Sequence, residues 1–410
     1  MMTVYTHNPR MKEKKRDIIQ LTKNKFSETI TNDFKPYGSK VTFDDIKKLP
    51  EDDFYIKISI DNNKLYVHKQ KHNKTRNKVR KTILHLQSVL KNASKQGLKF
   101  PNVSFVLCMH TTGLSKEKKA SHINDTPIFV LCKESMNSYG IRIPNMFHAN
   151  IFVHDIKMKL KRSIAKKRKF KDRINKLYYR GGATGAGSVP RIQLVNNFGF
   201  HPNFDVGIVT KPNSAVLPKD LINNITKPIA EHTPNIYNAN YMYSIHMPGS
   251  ADLRGYSYGI QELLHWGCCI LFWNETCFEW YYEQLIKEKL VHLCNLDNIE
   301  ELSNHLVYKE QENAQEVAYK SMNFAKEHLN KDCITAYWYL ALNEYSKKYE
   351  STHEKFTYFP KKEIDKENLF ECIHYMFSYF FLLLNFKKGY NYLNYFIQRI
   401  NTYARKKKGR

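Results

Sequence analysis

LYYRGGATGAGSVPRIQLVNNFGFHPNFDVGIVT, residues 177–210, decides the fold class. An apolar run ending in Arg180 enters a glycine-rich loop, and a second apolar run, IVT at 208–210, closes the stretch. Two more strand-like runs follow, YMYSIHM (241–247) and CCILFW (268–273), separated by helix-like stretches and succeeded by helices near 298–348. Short apolar runs alternating with helical spacing predict an α/β fold with parallel sheets.

The same pattern extends upstream. FYIKISI (54–60) and KLYVH (64–68) flank Asp61, Asn62 and Asn63 and read as a hairpin with an Asn/Asp turn. Residues 72–95 place Val79, Ile83, Leu86, Val89 and Leu90 at helical spacing under a basic outer face, and Gly97 stops the helix. VSFVLCM (103–109) and PIFVLC (127–132) read as buried strands. The segment 157–176 is densest in positive charge. It reads as a basic helix over a thin stripe of Met158, Leu160 and Ile164, either solvated surface or a patch for an anionic partner. The expected organisation is a basic N-terminal extension over 1–50, an α/β domain over 51–176, a second α/β domain over 177–348, and a helical aromatic and basic extension over 349–410. That last extension is expected to pack on the rest of the protein, to dimerise or to touch a membrane surface peripherally.

The chain has 410 residues, with 65 Lys and Arg against 39 Asp and Glu, a formal charge of +26, and 42% hydrophobic residues. That apolar content excludes wholesale disorder, and the absence of a repeat period excludes solenoids. The charge points to a nucleic acid, an anionic membrane or a phosphorylated ligand. No zinc-finger, helix-turn-helix or RNA-binding signature is present, so a nucleic-acid-binding protein ranks second among the readings. The eight cysteines, Cys108, Cys132, Cys268, Cys269, Cys277, Cys294, Cys333 and Cys372, form no C-x-x-C pair and lie in apolar runs. They read as small buried hydrophobes in a reducing compartment. The first 17 residues lack the apolar core of a secretory signal, and IHYMFSYFFLLLNF (373–386) is too short to span a bilayer, so a cytoplasmic location is expected.

Two segments carry candidate chemistry. In YYRGGATGAGSVPR (178–191), Gly181, Gly182 and Gly185 allow backbone N–H groups to approach an anion, while Arg180 and Arg191 offer planar forks for phosphate. Neither the phosphate-loop nor the dinucleotide fingerprint is present, and glycine-rich turns also serve purely structural ends. In DLRGYSYGIQELLHWG (252–267), Asp252, Arg254, Gly255, Tyr256 and Ser257 precede a helical run. Ser257 is a candidate N-cap, and a diphosphate at such a helix terminus gains ~0.3–1 kcal/mol. Glu279 and Tyr281, after CCILFW, are expected at the carboxyl edge of a sheet, where α/β folds bind ligands.

These segments together resemble glycosyltransferase family 90, the group of fungal capsule-associated proteins and protein O-glucosyl- and xylosyltransferases. Arg180, Gly181, Thr184 and Gly185 match the family's F-R-G-S/G-x-T-S/G loop, and Pro190 with Arg191 its downstream P-R. Asp205, Val206 and Gly207 match its D-V/I-G segment. DLRGYS resembles D-G-x-G-x-S, ELLHWG the helix ending in L-L-x-x-G, and FEWYYEQLIKEKLVHL the family's E-F-Y-Y stretch. ENAQEVAYKSMNFAKEHLNKDCITAYWYLALNEYSKKY is similar to its closing helices, including Tyr337, Trp338 and Tyr345. FPNVSFVL (100–107) and TPIFVLCKESMNSYGIRIPNMF (126–147) look like its acceptor-half motifs.

The resemblance implies a GT-B fold: two Rossmann-like domains facing across a cleft, with the nucleotide sugar on the second. It implies an inverting transfer of glucose or xylose from a UDP-sugar to a glycan or glycoprotein hydroxyl, with no metal or other cofactor. An absent Asp-x-Asp motif agrees with the last point. Arg180, Thr184, Arg191, Arg254 and Ser257 would hold the diphosphate, and Glu279 would lie near the nucleoside. Two positions depart from the family. Its catalytic Asp falls on Thr111, leaving His110 or Asp125 as the base, and its usual Arg falls on Gly259, where Arg254 would supply the charge. Those departures leave a catalytically inactive member as a further alternative. A Lys- and Asn-rich member without a leader fits a large DNA virus or similar parasite that glycosylates its own surface.

Overall fold

The computed structural model describes residues 9–49, 51, 53–69, 76–110, 114, 126–135, 138–146, 149–183, 185–211, 217–223, 225, 229–249, 257, 259–274, 276–350 and 354–358. In chain order the first half contains α1 (Pro9–Phe34), α2 (Phe43–Lys48), β1 (Tyr55–Asp61), β2 (Lys64–Val67), α3 (Arg76–Lys95), β3 (Val103–Cys108), β4 (Ile128–Val130), β5 (Ile141–Arg142) and α4 (Ile151–Ala165). The second contains β6 (Ile174–Gly181), α5 (Val189–Phe198), β7 (Phe204–Ile208), α6 (Lys219–Asn223), β8 (Tyr241–His246), α7 (Gly259–Leu263), β9 (Cys269–Trp273), α8 (Tyr282–Lys287), β10 (His292–Cys294), α9 (Ile299–Tyr308), α10 (Gln311–His328) and α11 (Lys331–Ser346). The fold is therefore mixed α/β, with two five-stranded sheets inside one unit that extends to Lys361.

The first sheet has the order β2-β1-β3-β4-β5. Its β1 pairs antiparallel with both β2 and β3, and β3, β4 and β5 pair in parallel. The hairpin forms where the sequence places it, because Asn62 and Asn63 both adopt left-handed φ angles of 51° and 58° between the paired Asp61 and Lys64. Two such residues give the turn whose twist matches the flanking strands. Gly97, at φ 63°, ends α3. The second sheet is wholly parallel, in the order β10-β9-β8-β6-β7. Chain order reverses direction between β6 and β8, the kind of switch point that leaves a crevice beyond the carboxyl ends of the strands.

Several expectations need correction. Residues 17–34 are not a loose extension: Phe26, Ile30 and Phe34 are buried on one face of α1, against Trp280, Tyr337 and their neighbours. Helical spacing within a polar, basic segment conceals that stripe. The basic stretch 157–176 is helical only to Ala165, since β6 already begins at Ile174. Its Lys161 is buried rather than solvated. The closing helix α11 lies in the second half of the sequence but covers the first sheet. Tyr337 Oη donates to the Arg142 carbonyl (3.0 Å), Tyr345 Oη to the Ser104 carbonyl (2.8 Å), and Trp338 Nε1 to His85 Nε2 (3.1 Å). Beyond it, Tyr349 bridges Val41 and Tyr358 bridges Val67, so the start of the 349–410 segment borders the same half. The rest of that segment lies outside the described residues.

A buried ionic cluster ties these parts together. Asp33 at the end of α1 accepts from the Arg142 backbone N–H (2.8 Å), Arg142 Nε (2.9 Å), Arg142 Nη2 (2.9 Å) and Lys133 Nζ (3.0 Å). Arg142 also pairs with Glu283 of α8. Seven of the cysteines are buried free thiols, as expected for small hydrophobes, and Cys372 lies outside the described residues.

Candidate active site

The carboxyl ends of both sheets border one cavity of about 560 Å³. From the first half come Asn77, Lys78, Lys81 and Thr82 of α3, Met109 after β3, Leu131 after β4, and Asn145. From the second come Tyr179, Arg180 and Gly181 at the end of β6 and Ile245, His246 and Met247 at the end of β8, which are the strands flanking the switch point. The apolar runs that build the sheets thus deliver the polar residues that follow them to a shared edge.

Arg191 anchors this edge. It is 8% exposed, and its Nε (3.0 Å) and Nη2 donate to the Pro248 carbonyl while Nη1 donates to the Gly182 carbonyl (2.9 Å). The guanidinium therefore clamps the loop after β6 to the turn after β8. Three of its five N–H groups are used, leaving two without a protein acceptor in a buried residue that lines the cavity. Gly181 is required locally: a Cβ there would stand 1.9 Å from Tyr179 Oη. Arg180 also lines the cavity, but its guanidinium is held by Asp205, with Nη2 to Oδ1 at 2.6 Å and Nη1 to the Asp205 carbonyl at 2.8 Å, and it lies over the Tyr178 ring. Its charge is largely neutralised there, unlike that of Arg191.

Glu262 of α7 is the carboxylate among the described lining residues. Lys161 Nζ contacts its Oε2 at 2.8 Å, and Asn235 donates to the same oxygen. Burial opposes its charge, but Lys161 and Asn235 more than offset that, holding the carboxyl below the usual range. His246 is pushed the other way. Burial, reinforced by the nearby Arg191 charge, lowers its pKa to about 3, so the ring is neutral. Trp266, Leu263, Met109 and Met146 supply apolar walls.

Arg180, Gly181, Arg191 and Ser257 are thus gathered around one cavity, with Gly182 held at its edge by Arg191 and Gly185 just beyond, buried and in hydrogen-bonding reach of Ser188. Ser257 precedes a helix of five residues only, Gly259–Leu263, too short for the expected dipole to matter much. His110 does not line the cavity. Its ring stacks on Phe54 at 3.8 Å, because the chain leaving β3 continues antiparallel past the residue before β1, with the Met109 N–H donating to the Phe54 carbonyl. Glu279 does not line it either. The Lys133–Phe278 bridge draws this segment onto the first half, where Glu279 is fully buried and accepts from Gln261 Nε2 (3.1 Å) and Tyr282 Oη (3.1 Å). Burial raises its pKa to about 8. Thr111, Asp125, Thr184, Asp252, Arg254, Gly255 and Tyr256 lie outside the described residues. Sequence reasoning missed Glu262, His246, Lys78 and Lys81 as lining residues. For Glu262 the signal was available: a charged residue on the buried face of an apolar helix.

The guanidinium-clamped glycine loop thus lies at the switch point of a parallel sheet, where open α/β folds bind ligands. Comparison with known proteins makes the class specific: the model described as glycosyl transferase family 90 matches residues 20–367. The chain belongs to glycosyltransferase family 90. Protein O-glucosyltransferase 1 of Homo sapiens is 28% identical over 182 residues, covering 43% of each chain. The Mus musculus protein of that name is 29% identical over 174 residues, 42% of this chain and 41% of that one. The matches therefore span less than half the length of these curated relatives. A crystal structure of a GtfA/B complex aligns with TM-score 0.28 and 12% identity over 43% of this chain and 37% of that one. Among the described residues no helix is long and apolar enough to cross a membrane.

Proposed function

We propose that the protein is an inverting, metal-independent glycosyltransferase of GT-B architecture that transfers glucose or xylose from a UDP-sugar to a hydroxyl of a protein or glycan. The observation carrying this reading is the buried Arg191, which lines a cavity that both sheets border. The acceptor oxygen attacks the anomeric carbon from the face opposite the diphosphate. The bond from that carbon to the phosphate oxygen breaks, the hydroxyl proton passes to a base, and UDP departs. Charge builds on the leaving diphosphate, and prepositioned N–H donors stabilise it with little reorganisation. Arg191 offers such donors without any divalent ion, which supports metal independence. The name of the relatives supports glucose as donor sugar and protein as acceptor.

Calorimetry with UDP tests the reading. The wild-type protein should bind UDP, and UDP at 100 times its dissociation constant should stabilise it by about 2.7 kcal/mol. Arg191→Lys keeps the charge but loses the fork, and should weaken UDP by about tenfold or more. Release of UDP from UDP-glucose or UDP-xylose should persist in excess chelator. No binding of UDP by the wild-type protein, or activity abolished by chelator and restored by a divalent ion, refutes the respective part.

A further inference from the structure

We infer that Glu262 is a specificity-determining residue whose free carboxylate oxygen accepts a hydrogen bond from a hydroxyl of the bound sugar nucleotide. This rests on the UDP-sugar reading above and adds the residue that recognises the polyol part of the ligand. Both protein contacts of the Glu262 carboxylate, from Lys161 and Asn235, fall on Oε2. Oε1 has no hydrogen bond from the described residues, is not enclosed by them as a buried unpartnered atom, and belongs to a residue lining the cavity. A carboxylate only accepts hydrogen bonds. It therefore seeks a donor from the ligand, and it repels phosphate.

Its surroundings favour the charged form. Lys161, itself 3% exposed, enters from α4, with Lys157 on the same helix adding positive field. A buried carboxylate with one oxygen neutralised and the other open is costly unless the ligand completes it. The cavity is thereby divided in function. Arg191 attracts an anion, and Glu262 excludes one and takes a hydroxyl. The hydroxyls at hand in a UDP-sugar are those of the ribose and those of the transferred sugar. Both are the same chemistry to Oε1, and ligands lacking one or the other separate them.

The experiment is calorimetry of inorganic pyrophosphate, UDP and UDP-glucose with the wild-type protein and Glu262→Gln. The melting temperature of each unliganded protein reports the fold. If the ribose is the donor, Glu262→Gln weakens UDP and UDP-glucose by about tenfold or more and leaves pyrophosphate unchanged, the size expected of a hydrogen bond to a charged group. If the transferred sugar is the donor, only UDP-glucose weakens. A change below about twofold for both nucleotides overturns the inference, as does an equal loss for all three ligands, which marks a structural role. Where Glu262→Gln fails to fold, the double variant Glu262→Leu with Lys161→Met replaces the pair by apolar side chains of similar size. The same losses are expected of it. If the wild-type protein binds neither nucleotide, the UDP-sugar reading itself falls, and this inference with it.

Discussion

Glu279→Gln should remove a pH-dependent burden on stability. Glu279 is wholly buried, and burial raises its pKa from 4.5 to about 8, despite hydrogen bonds from Tyr282, Gln261 and Asn145. Between those two values the folded protein holds a proton that the unfolded chain has released. Stability contributed by this site is complete at low pH and is lost as pH rises above the unfolded pKa. The slope is about 1.4 kcal/mol per pH unit, so about 3 kcal/mol is lost between about pH 5 and pH 7. Glutamine resembles the protonated acid. Its carbonyl can accept from Tyr282, and its amide can donate to Gln261 once that side chain is flipped. Urea unfolding of wild-type and Glu279→Gln proteins across this range isolates the site, because every other group is common to both. The difference should grow in favour of the variant as pH rises, and UDP affinity should stay unchanged since Glu279 lies behind the cavity. A difference that is flat with pH refutes the reasoning.

Three further outcomes follow from the packing. Asp33→Asn leaves Arg142 and Lys133 buried without their shared counter-charge and should cost about 3–5 kcal/mol in urea unfolding. Gly181→Ala drives a Cβ into the buried Tyr179 hydroxyl and should cost about 1–3 kcal/mol by the same assay, with partial recovery in a Tyr179→Leu background. His110→Ala should keep UDP release from UDP-glucose within about threefold of wild type, because the ring stacks on Phe54 and does not itself line the cavity. A loss of a hundredfold or more would return His110 to the reaction.

Arg142 and Asp33 also show how the two halves of the chain depend on each other. Asp33 comes from α1, Arg142 from the edge strand of the first sheet, and Glu283 from α8. Breaking any member leaves a charge stranded in a low-dielectric interior, where it cannot recover its hydration. The geometry of the cavity is therefore coupled to a helix that the composition alone marks as a basic extension. Removal of α1 should accordingly impair UDP binding as well as stability, a result that calorimetry on a chain beginning at Lys35 reads directly.

Local patterns were enough for the hairpin, the buried strands and the glycine loop after β6, but not for α1 or for the end of α4. Two adjacent asparagines between alternating apolar runs specify a hairpin turn, because both tolerate left-handed backbone angles that most residues resist. Apolar runs bounded by glycines specify buried parallel strands, and the loop after β6 follows from where its strand must end. Arg191 stands in a short motif that places it one helical turn after the glycine loop, which is how it comes to line the cavity. Tertiary structure alone decided what surrounds each titratable group. Glu279 and Glu262 are two glutamates 17 positions apart. The first is enclosed among neutral donors and kept protonated, and the second is met by Lys161 and kept charged at the cavity. Burial and counter-charge depend on residues distant in the chain, and no window of sequence contains them.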